Sequence, residues 1–219
     1  MSSFKKSFSL DLFPELKKSD TTIVKSDNLI LAVASSTGGV EALKIVLTKL
    51  PSNIPGVLVV QHIPAGFSKV FAKHLNELCP FEVKEAESGD IVRSGRVLIA
   101  PGDYHMELMF SGVGYCVRLQ QGPAIQGVRP AADILMKSVA KFAGANSMGL
   151  ILTGIGKDGA QGLLEMKKAG SYNIGQDEKS CVVYGMPKEA ADIGALHQVL
   201  PLDEIPLALA NQFELRCVG

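Results

Sequence analysis

Short, unbroken apolar runs, each ending in a cluster of small and turn-forming residues, constrain this chain more than any other feature. Residues 29–34 (LILAVA) lead into SSTGG at 35–39, residues 56–60 (GVLVV) into QHIP at 61–64, and residues 147–152 (SMGLIL) into TGIGKDG at 153–159. Five or six apolar residues without alternation suit a strand covered on both faces. The segments between these runs place apolar residues at helical intervals. Ala42, Leu43, Val46, Leu47 and Leu50 follow the first run, and a helix over 67–78 carries Val70, Phe71, His74, Leu75 and Leu78 on one stripe. A helix over 131–142 groups Ile134, Leu135, Ser138, Val139 and Phe142, and another over 161–169 ends at Gly170. Further strands are expected at 83–86 and 96–100, and two β-rich runs around the Gly-rich turn at 111–114 predict a hairpin. Residues 180–184, a helix over 187–193 and an edge segment at 199–202 complete the pattern. Alternating strands and helices predict a three-layer, doubly wound α/β fold with a mostly parallel sheet and a β-hairpin addition. Ligands in such sheets bind beyond the carboxyl ends of the strands.

The 219 residues, 47% hydrophobic and 20% charged, suit one globular domain with a small appendage. Residues 1–28 read as a separate, flexible leader in which Pro14 interrupts any long helix; its apolar Phe4, Phe8, Leu10, Leu12, Phe13 and Leu16 could equally dock on a partner. The catalytic domain is then expected over 29–219. Twenty-two basic residues balance twenty-two acidic ones, without the basic excess of a nucleic-acid binder. The first residues lack the apolar run of a secretory signal, and no stretch of eighteen apolar residues would insert in a membrane. Four cysteines, with no C-x-x-C pair and no histidine at metal-ligand spacing, read as free thiols. The expectation is a cytoplasmic protein that uses no metal and no cofactor.

Ser36, His62 and Asp158 lie just past the ends of the three apolar runs. If those strands are neighbours, the three side chains share one crevice. A serine hydroxyl becomes a nucleophile when a base removes its proton, and histidine serves as that base near neutral pH. A carboxylate on the far ring nitrogen fixes the tautomer and stabilises the imidazolium. Gly38 and Gly39 let backbone approach a substrate, and the start of the following helix offers unpaired N–H groups for an oxyanion. Each residue also has a plainer reading: a serine at a strand-to-helix turn is most often an N-cap, and an aspartate between glycines a turn or cap residue. The G-x-S-x-G spacing is absent. A nucleotide- or phosphate-binding module competes, because STGG at a helix start could cradle phosphate, although neither a P-loop motif nor G-x-G-x-x-G is present.

Six segments in unbroken order go further: ASSTGGVEAL at 34–43, VVQHIPAGFS at 59–68, SGRVLIAPGDYHMEL at 94–108, RPAADIL at 129–135, ILTGIGKDGAQGL at 151–163 and DEKSCVVYGMPKEA at 177–190. Together they resemble the catalytic domain of the chemotaxis protein-glutamate methylesterases, the CheB family. The resemblance implies a doubly wound α/β domain with Ser36 as nucleophile, His62 as base and Asp158 as the third member of a triad. It places Thr37, Gly38 and Ile155 around the oxyanion. It implies hydrolysis of glutamate γ-methyl esters, and deamidation of certain glutamines, on the cytoplasmic helices of methyl-accepting chemotaxis receptors. A catalytically silent receptor-binding paralogue, or an esterase for a different ester, is the alternative. Three departures stand out. Ala34 and Ser35 replace the Gly-Ala common before the nucleophile, so two serines adjoin. Ile155 replaces the methionine common at its position. The leader is too short for the family's receiver domain, which implies constitutive activity or control by a separate response-regulator protein.

Overall fold

The computed structural model describes residues 29–217, so the leader expected over 1–28 lies outside the described residues. Seven strands form one parallel sheet: β1 (Ile30–Ser35), β2 (Gly56–Gln61), β3 (Glu82–Glu85), β4 (Arg96–Ile99), β7 (Ser147–Ile151), β8 (Tyr172–Gln176) and β9 (Gln198–Leu200). Their order is β3-β4-β2-β1-β7-β8-β9. Every residue of β1, β2 and β7 is buried, as their unbroken apolar runs require. The antiparallel hairpin of β5 (His105–Phe110) and β6 (Tyr115–Gln120) stands apart as a second sheet.

Side chains alternate across β1 and feed two cores. Leu31 and Val33 face α1 (Gly39–Thr48), α2 (Phe67–Leu78) and α6 (Ile205–Cys217). Ile30, Ala32 and Ala34 face α3 (Ala132–Phe142), α4 (Ala160–Lys168), α5 (Met186–Asp192) and the hairpin. This is the three-layer, doubly wound arrangement expected. Register decides what lies at the top of the sheet: Ser35 is level with Gln61 on β2, and Ala34 with Ile151 on β7. The chain turns from one side of β1 to the other between β1 and β7, so the exits of β2, β1 and β7 meet where the strand order reverses.

Several expected elements differ. In α2 the buried face is Ser68, Phe71, Ala72 and Leu75, while Val70 is 67% exposed and Leu78 43% exposed. The helical repeat tolerates more than one stripe, and the sheet accepts only one of them. The buried face of α3 likewise centres on Leu135, Met136, Ser138 and Val139, leaving Ile134 and Phe142 half-buried. Residues 180–184 form no strand; only Tyr184 bridges to Gly154. The strand between β7 and β9 is β8 (YNIGQ), whose buried Asn173 and Gln176 hide it from a search for apolar runs. Helix α6 was also not anticipated.

Candidate active site

Backbone hydrogen bonds stitch the three exit loops together. The Ser36 N–H donates to Thr153 O at 3.0 Å, and the His62 N–H donates to Ser35 O at 3.0 Å. The Gln61 side chain ties the same two loops: its Nε2 donates to Ser36 O at 2.9 Å and to His62 O at 3.0 Å. Its Oε1 accepts the Ser35 hydroxyl at 2.6 Å. That bond distinguishes the adjoining serines: Ser35 is fully buried with its hydroxyl engaged, whereas Ser36 is half-buried. The Thr153 hydroxyl donates to Thr37 O at 2.9 Å and accepts the Val183 N–H at 2.9 Å, joining the 35–39 turn to the 181–185 segment.

Ser36 is not an N-cap. Helix α1 is capped by Gly38 with no side-chain bond, and the Ser36 hydroxyl makes no hydrogen bond among the described residues. Its surroundings are tight nonetheless. A Cβ on Gly154 would stand 2.8 Å from Ser36 Cβ and 2.3 Å from Met186 Sδ, and Gly38, at φ +81°, lies where a Cβ would strike Val182. A side chain at either glycine would intrude on the turn.

His62 Nε2 lies 2.8 Å from Asp158 Oδ2. The ionised carboxylate only accepts, so Nε2 carries the proton and Nδ1 is left as the basic nitrogen. Asp158 is 3% exposed, and two further donors hold it: Ala132 N–H to Oδ2 at 2.6 Å and Asp133 N–H to Oδ1 at 3.0 Å. These are the first N–H groups of α3, where the helix dipole favours an anion. Asp158 does cap a helix, as the plainer reading allowed, but it caps α3 rather than α4, and its position lets it orient the imidazole too. Ser36 and His62 make no hydrogen bond with each other in this structure; the loops bring them together through Ser35 and Gln61.

Where an oxyanion would be held, the Ser36 N–H is already engaged by Thr153 O and the Gly39 N–H by Ser36 O. The N–H groups of Thr37, Gly38 and Ile155 make no hydrogen bond among the described residues. Ile155 is 63% exposed and Val182, which packs against Gly38, is 70% exposed. Cys181 adjoins Thr153, but burial pushes its thiol up to about 11, so it stays protonated at neutral pH and does not rival the serine. Among the described residues no three His, Cys, Asp or Glu side chains are arranged to hold a metal ion, and no helix is long and apolar enough to cross a membrane.

Sequence reading brought out Ser36, His62 and Asp158 but overlooked Gln61 and Asp133. Asp133, 4% exposed, accepts the Gly159 and Gly162 N–H groups on Oδ1 at 3.0 and 2.8 Å. Burial raises its pKa, with the nearby Asp158 charge adding to the rise and the two N–H bonds opposing it. The signals were available: a glutamine beside the histidine, and an acid in the first turn of a predicted helix.

A doubly wound α/β domain with an imidazole–carboxylate pair and, on the neighbouring strand exit, a serine whose hydroxyl is unbonded among the described residues has the framework of a serine hydrolase. Comparison with known proteins narrows this: the CheB methylesterase family profile matches residues 31–209, and the chain belongs to that family. It is 59% identical over 203 residues to a protein-glutamate methylesterase/protein-glutamine glutaminase of Bdellovibrio bacteriovorus, covering 93% of this chain and 57% of the relative. It is 53% identical over 192 residues to one of Syntrophus aciditrophicus, covering 88% of this chain and 56% of that one. The chain thus spans a little over half the length of these curated relatives. The crystal structure of the CheB methylesterase catalytic domain of Thermotoga maritima superposes with a TM-score of 0.82 at 39% identity, covering 84% of this chain and 98% of that one.

Proposed function

We propose that this chain is a protein-glutamate methylesterase that hydrolyses glutamate γ-methyl esters on the cytoplasmic helices of chemotaxis receptors, through Ser36, His62 and Asp158. The observation that carries this reading is the 2.8 Å His62–Asp158 bond, which leaves Nδ1 basic, with Ser36 on the neighbouring strand exit and its hydroxyl unbonded among the described residues. His62 Nδ1 takes the Ser36 proton as Oγ attacks the ester carbonyl. The N–H groups of Thr37, Gly38 and Ile155 are the donors available to the resulting oxyanion. The intermediate collapses as Nδ1–H passes its proton to the departing methoxide, releasing methanol and leaving an acyl-Ser36 ester. Water, deprotonated by His62, then attacks that ester and frees the glutamate carboxylate. With a glutamine side chain the same steps release ammonia, in keeping with the second activity in the relatives' names. The missing Ser36–His62 bond is no obstacle, because such bonds often tighten only with substrate present. A separate response-regulator protein is the partner proposed for control.

The test is methanol release from a receptor fragment bearing glutamate γ-methyl esters. Ser36→Ala and His62→Ala are each expected to lose about 10³-fold or more in kcat, because triad members act as a unit. Methanol release by Ser36→Ala at the wild-type rate rejects the assignment. A chain that binds the fragment but neither releases methanol nor reacts with a fluorophosphonate is the catalytically silent alternative.

A further inference from the structure

Helices α3 and α4 approach each other closely at their N-terminal ends, and neither uses a side chain next to its own start as cap. Each N-terminus instead takes the aspartate that belongs to the other. Asp158, two residues before α4, accepts the Ala132 and Asp133 N–H groups that open α3. Asp133, the second residue of α3, accepts the Gly159 and Gly162 N–H groups at the start of α4. The approach is close because Gly162 has no side chain: a Cβ there would lie 2.6 Å from Met136 Cβ. Gly159, at φ +91°, is the residue immediately after Asp158. Its N–H therefore belongs to the peptide whose carbonyl carbon is that of Asp158, and Asp133 grips that peptide directly. Gln126 Nε2 closes the far side of Asp133 with a bond to Oδ2 at 3.3 Å.

Burial raises the pKa of Asp133, and the charge of the nearby Asp158 adds to the rise. A helix cap alone needs neither the burial nor the second acid. We propose that Asp133 is a positioning residue for the reaction: by holding the Gly159 and Gly162 N–H groups, its Oδ1 fixes the loop bearing Asp158, and so keeps Asp158 Oδ2 within hydrogen-bonding reach of His62. The inference rests on the reading of Ser36, His62 and Asp158 as a triad. It adds a fourth side chain that touches neither substrate nor the reacting atoms.

The test compares Asp133→Ala with Asp133→Asn in the full chain, on a peptide bearing a glutamate γ-methyl ester and by the labelling rate with a fluorophosphonate. Both are measured well below each variant's melting temperature. Asp133→Ala removes the acceptor. It is expected to lower kcat and the labelling rate about 10- to 100-fold with KM held within about threefold, since a displacement near 1 Å has that effect on an oriented base. Asp133→Asn keeps Oδ1 and is expected to restore both rates to within about threefold of wild type. Where Asp133→Ala does not fold, Asp133→Ser, a shorter acceptor, takes its place against Asp133→Asn. A folded Asp133→Ala or Asp133→Ser at the wild-type rate overturns the proposal, as does an Asp133→Asn that falls as far as the variant without a full acceptor. A loss that appears in KM alone overturns it too. The triad reading fails separately, by wild-type activity that survives Ser36→Ala.

Discussion

Ser36 and Ser35 adjoin in sequence but differ wholly in environment. Ser35 ends a buried strand, where its hydroxyl must find a partner and finds Gln61; Ser36 is the first residue past the strand, half-buried, with its hydroxyl unbonded among the described residues. Ser36, His62 and Asp158 were legible as candidates because each follows an apolar run at the point where a parallel sheet presents its loops. Gln61 was not, because a glutamine at the end of such a run reads as the strand's exit, and only coordinates show its amide spanning two loops. Replacing it with the similarly sized leucine would leave the Ser35 hydroxyl and the His62 carbonyl short of a partner, while Ser36 O keeps the Gly39 N–H, and each unpartnered group that stays buried costs about 1–3 kcal/mol. Gln61→Leu is therefore expected to unfold at lower urea and to react more slowly with a fluorophosphonate, because the Ser36 and His62 loops lose their common tie. Ser35→Ala, which removes one bond of the three, should lose less on both measures. If Gln61→Leu matches wild type on both, the amide does not hold these loops together.

At the scale of elements, the exchange of aspartates between α3 and α4 ties stability to pH. Burial raises the folded-state pKa of Asp133 above its ordinary 3.8. Over the interval from that value up to the raised one, the folded protein binds more protons than the unfolded chain. Stability from this group is thus full below the interval and declines as pH rises through it. Asp133→Asn cannot ionise, so its melting temperature relative to wild type should shift in favour of the variant as pH rises above the ordinary carboxylate value of 3.8. A difference that stays flat, or moves the other way, would show that Asp133 is not held in a setting that disfavours its charge. Element type was legible for β1, β2, β7 and α2, whose periodicity is unambiguous. The buried stripe of α2 was not, because Phe71 and Leu75 belong to two overlapping apolar faces and the position of the sheet selects one. Strand β8 was hidden by its own chemistry: Asn173 is tolerated at full burial because Nδ2 donates to Leu163 O and Ala195 O, and Gln176 because Oε1 accepts the Thr153 N–H.

The described residues of the molecule form two apolar cores sharing one sheet, with Leu43 in the core on the α1 side and Leu135 in the core on the α3 side. Neighbouring residues of β1 face opposite cores, so losing one core uncovers the strand that supports the other. Leu43→Ala and Leu135→Ala are each expected to cost about 2–5 kcal/mol. Each should move a single urea transition in which circular dichroism and fluorophosphonate labelling fall together. Labelling that vanishes well before the helical signal would mean that the two cores unfold separately. The sequence by itself determined the fold class and singled out Ser36, His62 and Asp158 as the candidates proposed above to react, because strand burial and turn chemistry are local properties written into contiguous residues. The tertiary structure alone decided that Asp158 is held by α3, that Asp133 completes the exchange and that Gln61 spans two loops. Those bonds join residues 25 or more positions apart, and their existence depends on strand order and register, which no local spacing encodes.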